Sequence, residues 1–159
     1  MKNNKNQIPD RIYREIMDNV PTCCVDIVFL NKKKGKTLLF KRNNEPAKGT
    51  YFTCGGRLFK EETLIECAIR QAKKELGLNI NPKKLFFVGV TQDNYKNSIY
   101  KGVSSNIVNI FYGYILNDEN VNLQFDKQHS DHKWFDVRDK TLHPYIKERM
   151  RQTLLILKK

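Results

Sequence analysis

The stretch Gly55–Leu78, "GGRLFKEETLIECAIRQAKKELGL", decides how the rest of the chain is read. Leu64, Ile65, Ala68, Ile69, Ala72 and Leu76 recur at helical spacing and make one apolar stripe, so the spacing predicts a helix from about Thr63 to Leu76. Gly77 follows the last apolar position, where a helix end favours a residue that accepts positive φ. Ahead of the helix, "YFTCGGRLF" (residues 51–59) is expected to be a short strand broken at Gly55–Gly56. The unit is therefore strand, glycine turn, helix.

Outward from this unit the chain alternates in the same plain way. Residues 9–19 place Ile12, Tyr13, Ile16 and Met17 at helical spacing. "TCCVDIVFL" (22–30) is a buried strand that carries one carboxylate, Asp26. "NKKKGK" is a turn, and "TLLFKR" a second strand completing a hairpin. Downstream, "KKLFFVGVTQ" and "NIVNIFYGYIL" are strands separated by the polar loop "DNYKNSIYKGVSS". A second loop, "NDENVNLQFDKQHSDHK", precedes the short strand "KWFDV", and a helix over about 143–157 closes the chain. The order α-β-β-β-α-β-β-β-α predicts an α+β fold, an α/β/α sandwich with a mixed sheet between helices. Residues 1–8 are expected to be disordered, and 9–159 to form a single domain.

Composition narrows the classes. Of 159 residues, 29% are charged and 40% hydrophobic, which suits a globular chain and not a membrane protein. The longest apolar run is strand-sized, and the N-terminus has no apolar core of a secretory signal, so a cytoplasmic protein is expected. Cys23, Cys24, Cys54 and Cys67 form no Cys-x-x-Cys pair, which speaks against zinc. The net charge of +12 favours polyanionic ligands. Its lysines are scattered, and no arginine–aromatic stripe of the single-strand-binding kind is visible, so nucleic acid is not the expected partner.

The spacing Gly56-x5-Glu62-x7-Arg70, followed by Glu75 and Gly77, resembles the Nudix box. In that setting glycines admit phosphate to the backbone, and carboxylates supply hard oxygen ligands for Mg²⁺. The chain departs from the box where Gln71 and Lys74 stand in place of two glutamates. Of the acids expected on that helix face, Glu75 remains. A cluster of two or three Mg²⁺ ions is hard to hold with that loss, whereas one ion sharing substrate oxygens is feasible. A base must then come from elsewhere. His129 in "FDKQHSDHKWF" is a candidate because an imidazole titrates near neutrality. By residue type His132 and His143 are equally eligible.

A narrower resemblance, to the GDP-mannose mannosyl hydrolase branch, rests on "VPTCCVDIVFL", "LLFKRNNEPAKGTYFTCGGRLFKEETL", "ELGL", "GVTQDNY" and "FDKQHSDHKWF". That branch lacks the same two box carboxylates. The resemblance implies Mg²⁺-dependent hydrolysis of a nucleotide sugar at its anomeric carbon, with inversion, releasing nucleoside diphosphate and free sugar. It implies His129 as the base, and Mg²⁺ held by the Gly55 carbonyl, Glu75 and Gln128. Arg42, Arg57 and Arg70 would neutralise the diphosphate, Arg70 having the alternative role of pairing with Glu62. Asp26 would stabilise cationic character on the sugar, and Tyr95 would close over the nucleotide from its loop. A homodimer is implied as well, with the N-terminal helix and first strand able to serve as the interface. The family's histidine on the nucleotide side is Asp93 here, its tyrosine at the diphosphate aligns near Asn109, and a proline before the glycines is Cys54. Two other functions compete. One is a conventional pyrophosphatase using Glu62, Glu66 and Glu75. The other is a non-catalytic nucleotide- or RNA-binding module.

Overall fold

The computed structural model describes residues 8–125, 127 and 129–158. The expectation of disorder over residues 1–8 therefore falls outside the described residues, except at Ile8. The elements run α1 (Asp10–Asn19), β1 (Thr22–Leu30), β2 (Lys36–Arg42), β3 (Tyr51–Phe52), β4 (Cys54–Arg57), α2 (Leu64–Leu76), β5 (Phe86–Tyr95), β6 (Ser105–Ile115), β7 (His129–Asp136) and α3 (Pro144–Leu157), with a 3₁₀ turn at Pro82–Lys84. The mixed sheet between helices is the α/β/α sandwich that the element order predicts.

Strand β1 organises the sheet. Along one edge it pairs in parallel with β6 over its whole length, and β6 pairs antiparallel with β5. Along the other edge it is shared. Residues Cys24–Ile27 pair with β4, and Phe29–Leu30 pair with β2. Beyond β2 lie β3 and β7. Changing partners near Val28 lets β4 leave β2, which opens the sheet beside the N-terminal half of β1.

Because side chains alternate across a strand, β1 supplies both cores. Val25, Ile27 and Phe29 pack with Phe40, Ala68, Ala72 and Leu76 under α2. Val28 and Leu30 pack with Phe111, Ile146 and Met150 under α3. A strand covered on both faces should be apolar throughout, and Asp26 on the α3 face is the exception. Cys54 and Cys67 are buried in the core under α2, and no disulfide forms among the described residues. No described helix is long and apolar enough to cross a membrane.

Helix α2 forms as its sequence predicts. Thr63 is its N-cap and makes a capping box with Glu66, while Gly77 ends it at φ 69°. Elsewhere the boundaries differ. The strand 51–59 breaks at Thr53 and not at the glycines, because Gly55 and Gly56 stay extended to pair with Asp26 and Val25. Strand β5 continues through Asp93, Asn94 and Tyr95 by backbone pairing with Ile107, Asn106 and Ser105. Strand β7 begins at His129, four residues ahead of Lys133. In both cases polar side chains hide a strand that backbone hydrogen bonds sustain. Lys83 and Lys84 lie in the 3₁₀ turn and not in β5, since Pro82 starts a tight turn capped by Asn81.

Candidate active site

Where β4 parts from β2, a cavity of about 530 Å³ opens, within the size range of small-ligand sites. It brings together Asp26, Arg42, Gly55, Arg57, Arg70, Glu75 and Tyr95 from five stretches of chain, with Gln71 and Lys74 beside them. Tyr13 and Met17 of α1 add to its lining.

Its α2 wall rests on two anchors. Arg70 binds Glu62 through Nε at 2.5 Å and Nη2 at 2.8 Å, and Nη2 also donates to the Arg57 carbonyl at 3.0 Å. The guanidinium lies 3.7 Å from the Phe59 ring centroid. This bidentate bond, with a second from the Phe59 N–H, holds the Glu62 carboxyl below its usual range. Arg70 thus clamps the loop between β4 and α2, the structural alternative raised for it from sequence. The second anchor is Glu75, 2% exposed, which accepts from the Gly55 N–H at 3.1 Å. Arg57 stacks between Tyr13 and Phe59, at 5.4 and 4.8 Å. Arg42 donates from Nε to the Pro46 carbonyl at 2.9 Å.

The glycines are needed for closeness. A Cβ at Gly55 would run into the Asp26 carboxylate and the Val25 carbonyl, and one at Gly56 would run into the Gln71 amide. Gln71 is 4% exposed, and its Oε1 has no hydrogen-bond partner. That oxygen and the Glu75 carboxylate are hard donors that fit one divalent cation completed by ligand oxygens. They do not fit a cluster, since no three His, Cys, Asp or Glu side chains converge among the described residues. The reduced acid trio of Glu62, Glu66 and Glu75 is not assembled. Glu62 is taken by Arg70, and Glu66 accepts from Thr63 N at 2.8 Å in the capping box.

The opposite wall holds what the sequence did not disclose. Arg149 of α3, 1% exposed, reaches across to β1 and β5. Its Nη2 lies 2.5 Å from Asp93 Oδ2 and 3.3 Å from Asp26 Oδ2. Thr53 Oγ1 donates to Asp26 at 2.7 Å. Burial pushes the Asp93 carboxyl up, against the pull of Arg149. Arg149 resembles any arginine of an amphipathic helix, so the available signal was the unpaired Asp26 in an apolar strand, which required a buried cation somewhere.

Tyr95 is not a loop residue. It ends β5, half-buried against Phe52, His143 and Tyr145. His129 is likewise not in a loop. It opens β7, is 5% exposed, stands opposite Arg42 and packs 5.8 Å from Phe40. It is not among the described residues lining the cavity. His132 is exposed beside Phe125, and His143 caps α3 by accepting the Tyr145 N–H at 3.3 Å. Gln128 lies outside the described residues.

A sandwich of this topology, with a glycine-bearing strand and a clamped loop leading into an acid-bearing helix, matches the NUDIX-domain model over residues 21–155, and the chain belongs to that family. The low-salt glycan biosynthesis protein Agl8 of Haloferax volcanii is 36% identical over 141 residues, covering 88% of this chain and 86% of its own. An ADP-ribose pyrophosphatase of Methanocaldococcus jannaschii is 37% identical over 73 residues, covering 46% of this chain and 42% of its own. The fold is shared with the NUDIX domain of Shewanella oneidensis NrtR solved with ADP ribose, at 18% identity and a TM-score of 0.68, covering 94% of this chain and 99% of that one.

Proposed function

We propose that this chain hydrolyses a nucleotide sugar at the anomeric carbon, releasing a nucleoside diphosphate and the free sugar with inversion. The observation that carries this reading is the α2 face turned into the cavity. There Gln71, Lys74 and Glu75 stand together, with Arg42 and Arg57 beside them, in place of a carboxylate cluster. Such a wall suits a diphosphate that leaves, which needs positive charge, more than water activated for attack at phosphorus. One divalent cation, Mg²⁺ in this reading, would be held by Glu75 and the Gly55 carbonyl, with Gln128, which lies outside the described residues, as the further ligand the resemblance implies, and would supply further charge neutralisation. The resemblance supplies His129 as the group that takes the proton from the attacking water, although it is not among the described residues lining the cavity. The C–O bond to the diphosphate breaks while Asp26 offsets positive charge on the sugar, and Tyr95 borders the site. The glycan-biosynthesis name of the Haloferax relative is in keeping with sugar chemistry.

The match to an ADP-ribose pyrophosphatase favours a second reading, cleavage between the phosphorus atoms. One experiment separates the two. The protein is incubated with Mg²⁺ and GDP-mannose in ¹⁸O-water, and the products are resolved by chromatography and mass spectrometry. GDP plus mannose carrying ¹⁸O supports attack at carbon. GMP plus mannose phosphate replaces it with the second reading.

A further inference from the structure

We propose that Lys74 takes the place of a second divalent cation, so that this chain binds a diphosphate group with no metal bound. The inference needs only a ligand that carries a diphosphate, which both readings above share, so it stands whichever bond is cleaved. Lys74 lines the cavity from an exposed position in the last turn of α2, one turn from Gln71 and next to Glu75. In the box that this stretch resembles, glutamates stand at all three places and gather several metal ions.

The cations that line the cavity are not equally available. Arg70 is committed to Glu62, and Arg149 to Asp93 and Asp26. Arg57 stacks on Tyr13 and Phe59, and Arg42 donates from Nε to the Pro46 carbonyl. Among them Lys74 alone has no hydrogen bond, ion pair or ring contact with the described residues. A lysine near a helix C-terminus also complements the helix dipole. Lys73 does that from the same turn and is not among the described residues lining the cavity, so the dipole does not account for Lys74 facing it. Charge gives the second argument. Gln71 is neutral and Lys74 offsets Glu75, so this face carries no net charge where three glutamates would be strongly negative. A neutral face no longer attracts a group of cations, and it no longer repels a diphosphate. An ammonium is a compact charge with three rotatable donors, suited to phosphate oxygens. It brings the positive charge of an added cation without needing to be loaded. A bound Mg²⁺ offsets the same anionic oxygens, so the two cations partly substitute for one another.

The test is calorimetric binding of the uncleavable α,β-methylene analogues of ADP and GDP, with Mg²⁺ and with a chelator. The wild-type protein is expected to bind at least one analogue in chelator, no more than about tenfold more weakly than with Mg²⁺. Lys74→Ala is expected to weaken binding in chelator about tenfold, the worth of one charge-assisted hydrogen bond, and binding with Mg²⁺ less than about threefold. Lys74→Glu is expected to make binding wholly dependent on Mg²⁺. Lys73→Ala removes the same charge from the same helix turn and is expected to change either affinity less than about twofold. Both positions are exposed and alanine favours a helix, so the alanine variants keep the fold. No binding of either analogue in chelator, equal loss in Lys74→Ala with and without Mg²⁺, or an equal effect of Lys73→Ala would each overturn the proposal. Product analysis, which reports the bond cleaved, tests the reaction separately.

Discussion

His129 and His143, neither of them among the described residues lining the cavity, differ in what their rings do. His143 spends Nδ1 on the first turn of α3 and packs 4.9 Å from Phe52. Burial, with Arg149 nearby, lowers its pKa. Under the proposed reaction, His129→Ala lowers kcat by about 10²–10⁴-fold, the usual worth of a general base. His143→Ala costs about 1 kcal/mol of stability, the usual worth of a cap. Steady-state kinetics and urea melts on both variants check this, and a rate collapse confined to His143→Ala reassigns the base. The Glu62–Arg70 clamp gives a second expectation. A carboxyl held below its ordinary value of 4.5 contributes stability that is present above that value. The contribution is lost as pH falls through the lowered one. The stability difference between wild type and Glu62→Gln, about 1–3 kcal/mol for a charged hydrogen bond, should stay level above pH 4.5 and shrink below it. A difference independent of pH would reject the clamp as the source.

At the scale of elements, α2 was legible because several local signals agree. The apolar period, the Thr63–Glu66 capping box and Gly77 all give the same boundaries. Gly77 sits at φ 69°, and a Cβ there would stand 3.1 Å from Gln124. Gly77→Ala should therefore lower the stability read in urea unfolding by about 1–2 kcal/mol. An unchanged midpoint would mean that the helix ends otherwise. The end of β5 and the start of β7 were not legible for the converse reason. "DNY" and "HSDH" carry no alternating apolar pattern, and their strand character comes from partners distant in sequence, β6 and β2. The consequence reaches function. A strand position buries Asp93 and His129 where a loop would have left them in water.

At the scale of the molecule, the charge of +12 proved a poor guide to the site. The cavity divides into a basic wall and a floor in which one arginine faces two aspartates, and net charge describes neither. That division depends on β1 giving one edge to two strands, which parts the sheet, and on α3 returning across the opening. Sequence alone determined helix α2, the strand carrying Asp26, and the absence of two box carboxylates, while the turn expected at Gly55–Gly56 proved to be strand. The first three follow from local spacing, and local spacing survives folding. Only the tertiary structure decided that Arg70 clamps Glu62, that Gln71 and Asn109 keep buried oxygens unmatched, and that Arg149 answers Asp26 from the far end of the chain. Ion pairs and unmet hydrogen bonds in the interior are fixed by which faces meet across the core, and one-dimensional spacing carries no record of that.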